Sequence, residues 1–170
     1  MSEELHRLNA LTDEEATAEL LKCCAAREWA RRMSAARPFL DEGELFAAAD
    51  RIWWSLDDED WLEAFRGHPK IGGRKAAAEV SAESARWSES EQRGTSEAAP
   101  QTLDALAHAN QLYEEKFGFI YIVCATGKSA AQMLDMLNAR LAHERDMELR
   151  IAAEEQRRIT ALRLNKLLNL

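Results

Sequence analysis

Of the four histidines in the chain, His68 has the surroundings that suit acid–base chemistry. It precedes Pro69 inside Gly67-His68-Pro69-Lys70-Ile71-Gly72-Gly73, a run that cannot form the interior of a helix. Proline pushes the residue before it towards extended geometry and the glycines permit turns, so a loop holds the imidazole. Imidazole titrates near neutrality and can both donate and accept a proton there. The other reading is a turn histidine bonded to a neighbouring backbone group. His6, His108 and His143 fall on predicted helices or polar connections, where a solvated ring is expected.

Arg163 is the second candidate. Ile159, Arg163 and Leu167 recur every four residues, so the arginine lies along an apolar helical stripe. Arg157 and Arg158 fall off that stripe and, beside Glu154 and Glu155, read as a solvated face. A guanidinium directed at a core needs an anionic partner, because burying a lone charge is expensive. Two readings stay open: a structural pair or snorkelling arginine, or a two-pronged clamp on a substrate carboxylate. The segment Ser88-Glu89-Ser90-Glu91-Gln92, taken alone, reads as a solvated helix end. His-Glu-x-x-His, Cys-x-x-Cys and clustered-carboxylate patterns are missing, as are a glycine-rich phosphate loop and a serine nucleophile elbow. No metal and no organic cofactor are expected.

Composition narrows the class. The 170 residues are 46% hydrophobic and 31% charged, enough to build a core in one domain. Thirty acidic against 22 basic residues give a net charge of −8, without the basic footprint that neutralises phosphates in nucleic-acid binders. No apolar run approaches the ~20 residues that span a bilayer, and Met1-Ser2-Glu3-Glu4 is acidic where a secretory leader is basic. Cys23, Cys24 and Cys124 are odd in number and lack a paired spacing, which argues against a disulfide framework. The C-terminal Leu168-Asn169-Leu170 is not a peroxisomal address. The expectation is a soluble, unprocessed, cytoplasmic protein with neither nucleic-acid nor membrane partners.

The elements that must position these residues read as helices. Glycine and proline number only 7 and 3. Thr12 with Glu15 forms a capping-box signal ahead of Ala16, Leu20, Leu21 and Cys24. Further helices are predicted at about 27–36, 44–54, from Asp57 or Asp58 onward, 81–93, 100–116, 129–141 and 146–168. A polar stretch links the His68 loop to Ser81. Phe117 to Ala125 differs: it is uncharged and rich in aromatic and β-branched residues, and it has no evident strand partner. It is expected to be a buried extended segment or a distorted helix. The fold class is all-α, a single-domain bundle over 1–170 of roughly eight helices with one buried extended segment at about 117–125.

Seven landmarks run in register along the chain: Arg37-Pro38-Phe39, His68-Pro69-x-Ile71-Gly72, Ser88-x-x-Glu91-Gln92, Asn110-x-x-Tyr113, Phe117-Gly118-Phe119, Arg140-Leu141 and Ile159-x-x-Leu162-Arg163-Leu164. Together they resemble the 2-oxo-4-hydroxy-4-carboxy-5-ureidoimidazoline (OHCU) decarboxylases of urate breakdown. Ile71 stands where the family often has leucine, and the connection from His68 to Ser88 varies in length. The resemblance implies an all-α, usually homodimeric enzyme without metal or cofactor that converts OHCU to (S)-allantoin and CO2. Carried over by motif, His68 is the catalytic acid/base and Glu91 its acidic companion. Pro69, Ser88, Glu89, Ser90, Glu91, Gln92, Tyr121, Ile122, Val123, Cys124, Ala125 and Arg163 are the implied substrate contacts. Peptide groups of an extended 121–125 segment, not consumed by a helix, could pair with a planar urea-like ligand. The rival readings are a non-catalytic helical interaction module and a lyase or isomerase acting on a related ureide.

Overall fold

A computed structural model describes residues 2–72 and 81–169. The polar stretch expected between the His68 loop and Ser81 lies outside the described residues. Among those described there are nine α-helices, one 3₁₀ turn at Arg93–Thr95 and no strand. The helices are α1 Glu3–Ala10, α2 Asp13–Cys23, α3 Arg27–Ala35, α4 Glu42–Trp54, α5 Asp58–Arg66, α6 Ala82–Glu91, α7 Pro100–Phe117, α8 Ala130–Arg140 and α9 Arg145–Leu167. The predicted helices are present, and α1 is the additional one. It is a short, polar helix whose Leu5 and Leu8 are buried, so packing rather than periodicity stabilises it. The three cysteines are free and buried.

The chain divides into two compact units, residues 1–64 with 157–170 and residues 65–156. In the first unit α2 packs on α3 and α3 on α4 around Leu20, Trp29, Met33 and Leu45. The expected capping box of α2 is present: the Thr12 hydroxyl accepts from Glu15 N–H and the Glu15 carboxylate accepts from Thr12 N–H. Caps of this kind contribute about 1 kcal/mol. Arg37, from the first landmark, donates to the carbonyls of Leu8 and Leu11 at 2.7 and 2.8 Å. It thereby satisfies one open carbonyl in the last turn of α1, that of Leu8, and the carbonyl of the cap residue Leu11, which the helix cannot pair internally.

In the second unit α7 packs on α8, and Tyr113, Phe117, Phe119 and Tyr121 form an aromatic cluster with adjacent centroids 4.6 to 6.1 Å apart. Gly118 ends α7 at φ +80°, in the left-handed region glycine tolerates. The chain then runs without helix or strand through Ala125, with Phe119 and Tyr121 to Ala125 buried, before Ser129 starts α8 with a second capping box. Residues 118–125 are therefore the non-helical segment expected here, and it pairs with no strand among the described residues.

Side chains hold this segment instead. Arg140 donates to the carbonyl of Ile122 at 2.7 Å and lies over the ring of Tyr121, 4.7 Å from its centroid. The same guanidinium forms an ion pair with Glu148, which is fully buried near the start of α9. Tyr113 donates its hydroxyl to the same carboxylate at 2.5 Å, and His143 Nδ1 lies 2.9 Å from the other oxygen. His143 was expected to be solvated; it is half-buried against Glu148, because the chain between α8 and α9 turns back onto that carboxylate. Burial pushes the phenols of Tyr113 and Tyr121 well above their ordinary range, so both stay protonated as donors. Replacing Arg140 by Met strands a buried carboxylate and frees the Ile122 carbonyl. The expected cost is about 3–5 kcal/mol of unfolding free energy, measured by urea denaturation; a loss below about 1 kcal/mol would remove the cluster from its structural role.

Candidate functional site

His68 follows the last turn of α5, where its N–H donates to the carbonyl of Phe65 at 3.1 Å. Pro69 prevents the helix from continuing. The loop is then pinned from two sides. Asn110 on α7 donates to the carbonyls of Ile71 and Leu106 at 3.4 and 3.0 Å, and Gly72 N–H donates to Gln92 Oε1 at 3.1 Å. The two carbonyls fix the Asn110 amide orientation, leaving Oδ1 buried without a partner among the described residues. The His68 and Asn110 landmarks are thus parts of one support. The imidazole is half-buried, and its Nε2 lies 2.6 Å from Oε1 of Gln156, a fully buried residue of α9.

The segment 88–92 divides by face. Ser88 and Glu91, one helical turn apart on α6, are buried, and Gln92 is half-buried. Glu89 and Ser90 are exposed. The solvated helix end expected from composition holds only for those two residues. Gln92 caps α6 and holds the His68 loop through Gly72, so this helix end and the imidazole-bearing loop are linked directly.

All five residues from Tyr121 to Ala125 are buried. The Ile122 carbonyl is taken by Arg140, the Cys124 N–H by Glu155 Oε2 at 2.6 Å, and the Cys124 carbonyl by Lys128 Nζ at 2.6 Å. The N–H and C=O of Val123 and the N–H of Ala125 have no partner among the described residues. Burial, with Glu155 and Glu91 adding to it against Lys128, raises the Cys124 thiol above its ordinary range. Glu91 of α6 and Glu155 of α9 therefore both act on this segment electrostatically. The backbone at Gly94 approaches that of Lys128 closely: a side chain there would put Cβ only 2.0 Å from the Lys128 carbonyl oxygen.

His68, Pro69, Ser88, Glu91, Gln92 and residues 121–125 all belong to the second unit; Arg163 belongs to the first. Ile159, Arg163 and Leu167 are buried together, as their spacing predicted. Burial pushes the Cys24 thiol up to about 11, opposed first by the Ala26 backbone and then by the Thr160 hydroxyl and the Arg163 charge. Among the described residues no group of three or more His, Cys, Asp or Glu is arranged to hold a metal, and no helix is long and apolar enough to cross a membrane.

The solvated face expected around Glu154 to Arg158 needs correction. Glu155 and Gln156 are buried, and Arg157 is half-buried in an ion pair with Asp50, Nη1 to Oδ2 3.1 Å; Arg158 is exposed as expected. The helix is enclosed here, so polar residues point inward to meet polar partners rather than water. The stripe through Ile159 and Arg163, followed back by three and four residues, passes through Gln156 and Ala152. That continuation was the available signal.

Comparison with known proteins decides the family. The OHCU decarboxylase family model matches residues 9–165. The chain belongs to the OHCU decarboxylase family. It is 41% identical over 147 residues to a uric acid degradation bifunctional protein of Arabidopsis thaliana, covering 85% of this chain and 45% of that one. A 2-oxo-4-hydroxy-4-carboxy-5-ureidoimidazoline decarboxylase of Haloferax volcanii is 27% identical over 161 residues, 94% of this chain and 93% of the relative. The chain thus spans less than half of the plant bifunctional relative and nearly all of the archaeal one. The crystal structure of an OHCU decarboxylase in the presence of (S)-allantoin superposes with a TM-score of 0.78 at 38% identity, covering 90% of this chain and 99% of that one. An (S)-allantoin synthase structure, 17% identical with a TM-score of 0.69, shares the fold.

Glu155 is the residue of this site most open to a direct physical test. Glu155→Ala removes the acceptor of the Cys124 amide, and a hydrogen bond to a buried charge contributes about 1.5–3 kcal/mol. The Cys124 amide is expected to exchange its hydrogen at least ~10-fold faster, by this magnitude, read by mass spectrometry or NMR. Unchanged exchange would show that the segment holds its shape without the carboxylate.

Proposed function

We propose that this chain decarboxylates OHCU to (S)-allantoin and CO2, with His68 as the catalytic acid/base and Glu91 as its acidic companion. Family membership supports the reaction. One observation carries the assignment to residues: a loop-borne imidazole fixed by a hydrogen bond shares a compact unit with inward-facing Ser88 and Glu91 and with the unpaired peptide groups of Val123 and Ala125.

The chemistry asks little of a catalyst beyond placement and proton handling. The bond between the carboxylate and the hydroxyl-bearing ring carbon breaks, and CO2 leaves. Its electron pair forms a double bond to the neighbouring ring carbon, whose imine nitrogen takes up a proton. The hydroxyl then loses its proton as a carbonyl forms, and the neighbouring carbon gains a proton on one face. Overall one proton replaces CO2, and the substrate supplies its own electron sink, so no cofactor is required. His68 moves the protons, as an imidazole can near neutrality. Glu91 orients the ring, bonds substrate N–H groups or repels the departing carboxylate. Val123 and Ala125 offer two N–H donors and one carbonyl on residues two apart in the chain, a pattern complementary to a ureide edge. Ser88, Gln92 and Pro69 line the same unit, and Glu89 and Ser90 complete the proposed contact segment from its outer side. Arg163 is proposed as a carboxylate or ureido-oxygen contact on the strength of its motif and its buried, planar guanidinium. The resemblance further supports a homodimer working in the cytoplasm as a single functional domain, with the ureide as its partner.

The deciding assay follows freshly generated OHCU under exhaustive chelation. His68→Asn is expected to fold normally and lose about 10²–10⁴-fold in rate; a variant with most of the wild-type rate would remove His68 from catalysis. Arg163→Lys keeps the charge and loses the two-pronged geometry. It is expected to melt within a few degrees of wild type and to lose at least ~10-fold in kcat/KM, about 1.4 kcal/mol of transition-state binding. Near-normal kcat/KM with a large fall in Tm would make Arg163 a structural residue.

A further inference from the structure

We propose that Lys128 is a positioning residue for the substrate site. It sets the peptide groups of residues 123–125 and, through a close contact at Gly94, fixes them against the helix end that carries Ser88 and Glu91. The inference rests on reading both segments as substrate contacts, and it names the residue that joins them.

Lys128 holds its surroundings with three separate groups. Its N–H donates to the carbonyl of Ala125 at 3.0 Å, closing a tight turn in which Gly127 takes the left-handed conformation at φ +77°. Its half-buried ammonium donates to the carbonyl of Cys124 at 2.6 Å, a charged donor on a peptide oxygen and so a strong bond. Its own carbonyl lies against Gly94. A Cβ at Gly94 would overlap the Lys128 carbonyl oxygen and stand 3.0 Å from the carbonyl carbon. Both are backbone atoms, which cannot swing aside as the end of a side chain can. Gly94 is not among the glycines with positive φ, so closeness rather than conformation calls for glycine there.

The contact reaches the other segment through a short, well-bonded path. Gly94 is the middle residue of the 3₁₀ turn Arg93–Thr95, which follows α6 and its cap Gln92 directly. Thr95 donates its N–H and its hydroxyl to the Gln92 carbonyl at 2.9 and 2.8 Å, and Gln92 N–H donates to the Ser88 carbonyl at 3.0 Å. A displacement at Gly94 is therefore passed to the turn of helix that bears Ser88 and Glu91. On the segment itself, Cys124 is held at its carbonyl by Lys128 and at its N–H by Glu155, side chains of opposite charge. Its neighbours Val123 and Ala125 carry the groups assigned to the ureide. Lys128 and Glu91 also act with opposite sign on the Cys124 thiol, so charge as well as contact relates the two segments.

The test separates binding from turnover. Lys128→Met keeps the apolar stem and loses the donor. It is expected to raise KM for OHCU and Kd for (S)-allantoin, read by calorimetry, about 10-fold, with kcat within about 3-fold of wild type. Lys128→Arg keeps a charged donor and is expected to bring both constants back to within about 3-fold of wild type. Gly94→Ala leaves Lys128 in place but drives the helix end away, and is expected to weaken both constants in the same direction. Unchanged KM and Kd in Lys128→Met would overturn the inference, as would losses of kcat that follow Tm in all three variants. If Lys128→Met fails to fold, Gly94→Ala and Lys128→Arg decide by the same constants. A wild type that neither turns over OHCU nor binds (S)-allantoin would sink the proposed reaction instead. The junction then stands on faster hydrogen exchange of the Cys124 amide in Lys128→Met, and falls if that exchange is unchanged.

Discussion

An uncharged segment, residues 118–125, crosses the second unit outside any helix or sheet, and its peptide groups must still be satisfied. Arg140 and Glu148 meet that constraint. The guanidinium caps the Ile122 carbonyl and stacks on Tyr121, while Glu148, fully buried, neutralises it and also accepts from Tyr113. An unpaired buried charge costs several kcal/mol, so neither member tolerates loss of the other. Ion pair, phenol and aromatic cluster form one arrangement, and the shape of residues 118–125 follows from it.

Helix α9 extends the same logic along its length. Glu148 faces Arg140; two turns later Glu155 accepts from Cys124 N–H, and Gln156 meets the imidazole of His68. Three polar side chains of one helix thus order three features of the unit. A rigid helix supports such placements better than loops would, because its backbone groups are already paired and packing fixes the side-chain directions. The His68 loop is likewise borrowed rigidity: Asn110 on α7 and Gln92 at the end of α6 hold a segment that forms no element of its own.

This division between pinned and open groups gives the proposed chemistry a physical basis. Where the chain needs shape, its peptide groups are paired with charged side chains. Where a planar ureide would bind, Val123 and Ala125 keep peptide groups available. A reaction whose substrate stores its own electron sink asks for orientation and one proton relay, and a hydrogen-bonded imidazole held in place provides such a relay.

Helices with strong local signals were legible in the sequence: the Thr12 and Ser129 caps, the stop before Pro38, the proline start at Pro100 and the inward stripe of Arg163 are consequences of nearest-neighbour chemistry and period. So was the non-helical segment, through its composition, and so was the loop position of His68, through its proline and glycines. What escaped were residues whose role depends on a partner outside their own element. Glu155 and Gln156 look like part of a charged, solvated face because their neighbours are Glu154, Arg157 and Arg158, yet both are buried. His143 looks like a linker residue until Glu148 is beside it, and α1 lacks any periodic signal until Arg37 caps it. Local sequence determines the backbone conformations that short-range sterics and capping favour. Only the tertiary fold decides which polar side chains lose their water, because that depends on the element that covers them.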